Sequence, residues 1–320
     1  MRSGFTTPCL PRYAARPQDP SPDKTPLLPF LPRNTFRAWH VSNEMVDEKR
    51  TLARPVTQSG IGLHTGKYAE VSLCPAPSGS GIVFVRVDLE GKPTIPALAQ
   101  CVTDTSRKTT LSNAGASVQT VEHVLAALFG LGISDVRIEV TGEEMPILDG
   151  SALPYVSAME EAGFTTLGNA LPRRVLETPL WIPQGNSFVS AIPSSELRFS
   201  CGIQFESAAI GEQWFSFAQN PSRFAEEIAP ARTFANVAEI EALRERGLIA
   251  GGSLDVALVC DNENWLNGPL RFPNEPARHK LLDWMGDLCL LGDSLPQAHY
   301  IAFRAGHALH IKMARMIAGV

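Results

Sequence analysis

No run of about 18 consecutive apolar residues occurs in this 320-residue chain, so the sequence offers no membrane-spanning helix. Its six cysteines, at 9, 74, 101, 201, 260 and 289, form no C-x-x-C pair. That argues against a cysteine zinc cluster and a dithiol redox motif, and scattered thiols fit a reducing cytoplasm. Basic residues are not in excess: 28 Lys and Arg stand against 33 Asp and Glu, a formal charge of -5. A nucleic-acid footprint is therefore not expected. No glycine cluster makes a G-x-G-x-x-G loop opening a helix, and the H-E-x-x-H protease motif is absent.

What remains is ordinary globular composition, 44% hydrophobic and 19% charged. That is enough for one large domain or two moderate ones with a real core. Residues 1–44 differ. Prolines stand at 8, 11, 17, 20, 22, 26, 29 and 32, and Arg2, Arg12, Arg16, Arg33 and Arg37 outnumber the acids. Such a segment cannot bury enough surface to fold alone, so 1–44 reads as a disordered extension or leader. It lacks the apolar block of a secretory signal. It is either a transit peptide, which would make the location organellar, or an upstream extension to a chain starting at Met45.

From Thr51 onward, alternating strands and glycine turns lead to two helices of similar design. In the first, Thr120 is the expected N-cap, Glu122 and His123 fall in the first turn, and Leu125 to Leu128 are buried. In the second, Pro276 suits the helix start, and His279 and Asp283 are i and i+4, with Asp287 one step further along the same face. In each half strands precede such a helix, and a glycine-bearing turn follows it. The predicted fold class is α+β: two similar domains, 45–168 and 169–320, each a sheet layered with helices and packed face to face, with the site at the junction.

An imidazole and a carboxylate on one helix face do not make a metal site, since catalytic zinc usually takes three protein ligands. With the two helices facing each other, His123 supplies the third. The expected cofactor is Zn2+, because two of the three ligands are imidazoles, although iron(II) is chemically possible. Glu122, adjacent to a ligand, suits a general base. His307, in the small-residue loop Gly306-His307-Ala308, can hold an oxyanion when charged and protonate a leaving amine. Asp287 can orient an imidazole, and Thr233 can donate to the oxyanion. Each residue has a plainer reading as well. A histidine at a helix start also serves as a cap, and H-x-x-x-D also marks a surface pair. His40, His299 and His310 are left as structural.

Seven motifs in order carry a resemblance: Gly60 to Gly66, Thr120-Val121-Glu122-His123, Ile147 to Ser151, Ala231-Arg232-Thr233-Phe234, Gly251-Gly252-Ser253, His279 to Asp283 with Gly286-Asp287, and Gly306-His307-Ala308-Leu309. Together, from about Thr51 to the C-terminus, they resemble the UDP-3-O-acyl-N-acetylglucosamine deacetylase (LpxC) family of lipid A biosynthesis. The resemblance implies a cytoplasmic, monomeric zinc amidase that releases acetate from a UDP-linked acyl sugar. It implies metal ligands at His123, His279 and Asp283, a base at Glu122 and an acid at His307. Substrate contacts would fall on Leu63, His64, Phe205, Phe234, Lys280 and Arg304, and the acyl chain on a tunnel formed by Val237 to Ile249. Lys108, Asn236 and Arg304 depart from common family choices. The alternatives are a zinc amidase on another N-acetylated nucleotide sugar, or a catalytically silent zinc protein that binds a sugar nucleotide.

Overall fold

A computed structural model describes residues 39–320 apart from 246, 293 and 294. The expected leader therefore lies outside the described residues up to 38. From Trp39 the chain is a strand, six residues inside the segment read as extension.

The first half runs β1 (Trp39–Leu52), β2 (Val56–Ile61), β3 (Tyr68–Pro75), β4 (Ile82–Arg86), β5 (Thr94–Pro96), β6 (Val102–Asp104), β7 (Thr110–Asn113), β8 (Ala116–Gln119), α1 (Glu122–Leu131), β9 (Val136–Val140) and α2 (Leu153–Ala162). The second runs β10 (Phe164–Leu176), β11 (Leu180–Gln184), β12 (Ser187–Ile192), β13 (Arg198–Gln204), β14 (Glu212–Ala218), α3 (Pro221–Glu227), β15 (Phe234–Asn236), α4 (Val237–Glu245), β16 (Leu258–Cys260), α5 (Glu275–Cys289), β17 (His299–Phe303) and α6 (His307–Ala318). Between the halves, β10 pairs antiparallel with β1.

Each half holds a five-stranded sheet, ordered β2-β3-β9-β4-β5 in the first and β11-β12-β17-β13-β14 in the second. These are the same topology. In both, the last strand enters beside the second, antiparallel to it and parallel to the third. A helix precedes that inserted strand, α1 before β9 and α5 before β17, and another follows it, α2 and α6. The chain is thus α+β with two similarly built halves, and the two histidine-bearing helices occupy equivalent places.

Alternation explains the sheets. On β9, Val136, Ile138 and Val140 are fully buried while Arg137 is exposed. The helices at the junction are buried on nearly every side. On α1 all residues but Phe129 are buried, and on α5 Leu281, Leu282, Trp284, Met285 and Leu288 have no exposed surface. Helices apolar all round belong between layers. Accordingly α1 packs on α5, α2 and α3, while α5 also packs on β13, β14 and α6.

The entry to α1 differs from expectation. Thr120 is not the N-cap: that position is Val121, which makes no side-chain cap. Thr120 has φ +58°, a costly value for a β-branched residue. Its hydroxyl donates to Glu144 Oε1 at 2.9 Å instead. Glu144, itself buried, also accepts from the backbone N–H groups of His64 and Thr65 at 2.9 and 2.7 Å and from the Thr65 hydroxyl at 2.7 Å. One carboxylate thereby ties the first glycine loop to the residue that aims α1.

Candidate metal centre

His279 and Asp283 lie one turn apart on α5, and His123 faces them from the first turn of α1. All three are buried, and one ligand atom from each falls within 4.8 Å of the others. Asp283 Oδ1 is 3.6 Å from His279 Nε2 and 4.0 Å from His123 Nε2. These separations exceed hydrogen-bond length, so the atoms face one another without pairing. The imidazoles meet edge to face with centroids 5.1 Å apart.

The surroundings prepare these atoms as donors of electron pairs. His279 Nδ1 donates to the Ala231 carbonyl at 3.0 Å, which fixes the tautomer and leaves Nε2 bare. Burial, followed by the neighbouring His279, lowers the His123 pKa to about 3, so its imidazole is neutral. Burial likewise lowers that of His279, against the pull of Asp283. Burial would raise Asp283, but the Lys280 ammonium and then the imidazoles hold it well below the carboxylate range. Lys280 Nζ donates to Oδ2 at 2.9 Å and leaves Oδ1 for the cluster. Two neutral imidazoles and an ionised carboxylate, buried and unpaired with one another, are a donor set that fits a cation.

Beside it stand the two groups expected to move protons. Glu122 is buried and has its pKa raised to about 7 by desolvation, with His307 opposing. Its Oε2 accepts the backbone N–H of Thr109 at 3.1 Å. His307 opens α6, with Nε2 4.0 Å from Glu122 Oε1. Burial would lower its pKa, but the Asp287 carboxylate, whose Oδ2 is 2.8 Å from Nδ1, raises it to about 9. Asp287 also accepts the Thr109 hydroxyl at 2.6 Å.

The remaining expected contacts divide between two cavities that share Lys280. One, about 390 Å³, is mainly apolar and includes Leu63, His64, Thr233 and Phe234, with Val237, Ile240 and Ile249 from the α4 segment. Phe234 lies edge-on to His279 at 6.4 Å. Burial lowers the His64 pKa to about 4, so this imidazole too is neutral. The other cavity, about 550 Å³, includes Phe205, Gln204, Asn236 and Arg304. Arg304 Nη1 donates to Gln204 Oε1 at 2.8 Å, and Phe205 meets Phe234 edge to face at 5.5 Å.

Three participants escaped sequence reasoning. Thr109 and Glu144 sit in no recognisable spacing, and the one signal at His310 is its i, i+3 relation to His307. His310, structural by its sequence context, has its Nδ1 2.8 Å from Asp287 Oδ2.

Residues 49–319 match the family model described as LpxC: UDP-3-O-acyl N-acetylglycosamine deacetylase. A UDP-3-O-acyl-N-acetylglucosamine deacetylase from Nostoc is 49% identical over 275 residues, spanning 84% of this chain and 98% of the relative. Proteins of the same name from Thermosynechococcus vestitus and Chlamydia felis are 51% and 42% identical, each across 84% of this chain and 94% and 96% of the relatives. With nearly the whole described chain matched and the clustered side chains lying within the match, the chain belongs to the UDP-3-O-acyl-N-acetylglucosamine deacetylase family.

Proposed function

We propose that the chain is a zinc-dependent deacetylase that hydrolyses the acetamide of UDP-3-O-acyl-N-acetylglucosamine. The carrying observation is the buried cluster of His123, His279 and Asp283 with Glu122 and His307 beside it. His123, His279 and Asp283 would hold the ion, since Asp283 Oδ1 lies 3.6 and 4.0 Å from the two imidazole Nε2 atoms and none of the three is paired with another. Zinc, when bound, supplies a Lewis acid that polarises an amide carbonyl and makes water a better nucleophile.

The chain's own residues do the rest. Glu122, as carboxylate, takes a proton from the attacking water as the C–O bond forms. Thr233 donates a hydrogen bond to the oxygen that gains charge. His307, held charged by Asp287, gives its proton to the sugar nitrogen as the C–N bond breaks. Acetate and the free amine leave. The apolar cavity receives the acyl chain, each buried methylene contributing about 0.8 kcal/mol. Lys280 and Arg304 meet the diphosphate and Phe205 the uracil. The same reading carries two domains, 45–168 and 169–320, a monomer, and a cytoplasmic role in the committed step of lipid A biosynthesis. No helix among the described residues is long and apolar enough to cross a membrane.

The test is metal content measured together with acetate release from the UDP-linked acyl sugar. Bound zinc with acetate release is expected. A zinc-loaded chain that releases no acetate would favour a silent binding protein, and turnover only on another N-acetylated nucleotide sugar would move the substrate.

A further inference from the structure

His307 and His310 stand three residues apart at the start of α6, so their imidazoles leave the same side of the helix. Both reach back to one atom of α5. The Nδ1 of each lies 2.8 Å from Asp287 Oδ2. The other carboxylate oxygen, Oδ1, accepts the Thr109 hydroxyl at 2.6 Å. Asp287 has no exposed surface, and His310 is 1% exposed.

The two imidazoles differ in kind. Beside a carboxylate, Nδ1 of His310 carries the proton. Its Nε2 is buried with no hydrogen-bond partner among the described residues, so a second proton there would be an unsupported buried charge. The Trp284 ring packs against it with centroids 4.6 Å apart, tilted 43°, and blocks a swing away from Asp287. The charged and titratable groups around it are Asp283 and Asp287 on α5 and His307 on its own helix. His310 is thus a neutral, one-way donor, whereas His307 is the imidazole with a free Nε2 near Glu122.

We infer that His310 is a positioning residue: its Nδ1–H pins Asp287 Oδ2, so that the carboxylate holds His307 with Nε2 directed toward Glu122 and the metal cluster. The inference rests on the deacetylase reading above. With Thr109 on one oxygen and both histidines on the other, rotation of the carboxylate breaks at least one hydrogen bond. With His310 removed, Oδ2 is held by the very group it is meant to hold. Outer partners of this kind typically matter by about 10- to 100-fold in activity.

Two substitutions separate the hydrogen bond from the volume. His310→Asn keeps an N–H near the place of Nδ1, and His310→Leu fills space without a donor. His310→Leu is expected to lose about tenfold or more in kcat, with KM and bound zinc within about twofold of the parent. His310→Asn is expected to recover most of that loss. In proton NMR of the imidazole N–H region, the His307 Nδ1–H resonance should broaden or shift upfield in His310→Leu and return in His310→Asn. Full kcat in His310→Leu, equal impairment of both variants, or an unmoved His307 resonance would each overturn the inference. If the parent chain releases no acetate while the resonances behave as described, the positioning contact stands and the deacetylase reading falls.

Discussion

Gly286 of α5 lies directly against the main chain of Glu122 at the head of α1. A Cβ at 286 would overlap the carbonyl oxygen of Glu122 and crowd its carbonyl carbon and Cα. The two helices therefore touch backbone to backbone where one carries His123 and the other, three residues earlier, Asp283. Neither side of that contact is a flexible side chain, so a methyl group there must push the helices apart.

Gly286→Ala should accordingly cost about 1–3 kcal/mol by overpacking and weaken the metal site with it. Thermal unfolding and metal stoichiometry read the two effects separately. A variant with the parent's melting temperature and a full complement of metal would show that the helix contact does not set the ligand spacing.

Glu122→Gln keeps the shape of the side chain and the hydrogen bond from Thr109 but removes the proton acceptor. Turnover should fall by about 100-fold or more, the usual scale for a general base. Bound metal should be unchanged, since Glu122 is not one of the three ligands. Acetate release beside metal analysis checks both, and an unimpaired variant would remove Glu122 from the mechanism.

Helical periodicity alone brings His279, Asp283 and Asp287 to one face, which is why that part of the site could be read from spacing. The pairing of His123 with them was legible because two similar halves imply two helices in equivalent places, and the sheets repeat the same strand order. Thr109 and His310 were illegible for the opposite reason. Thr109 reaches Asp287 across 178 positions and His310 reaches it across 23, and no local period encodes either. The Thr120 cap failed because Glu144, 24 residues away, takes the hydroxyl that local preference would spend on the helix end. A strand from Phe164 to Leu176 runs across the expected domain boundary at 168/169, because β1 supplies its partner. Strand pairing over such a distance leaves no mark on the segment itself.

The proton-moving pair should give kcat/KM a bell-shaped pH dependence. His307 has its pKa raised to about 9, so its proton is present below that value and is lost as pH rises through it. Activity should fall on the alkaline side near pH 9, and His307→Gln should abolish that limb along with most turnover. Glu122, raised to about 7 by burial, must lose its proton to act, so activity should rise on the acid side. A cation in the cluster favours the carboxylate and moves this rise below 7. A profile flat from pH 7 to 10, measured with acetate release, would mean that His307 does not titrate in the step that limits kcat/KM.

Metal removal should be felt in stability as well as in turnover. Binding to the folded chain alone stabilises it by RT ln(1 + [L]/Kd), about 4 kcal/mol at a thousandfold excess over Kd. Without the ion, Asp283 Oδ1 faces two neutral imidazoles that offer it no hydrogen bond, and Lys280 meets only the other oxygen. A chelator should therefore lower the melting temperature of the parent chain, and added zinc should restore it. His279→Ala removes one ligand of three, so its melting temperature should respond to neither treatment and its bound metal should be lost. If the variant kept its metal and its response to the chelator, the ion would be held somewhere other than the junction of α1 and α5.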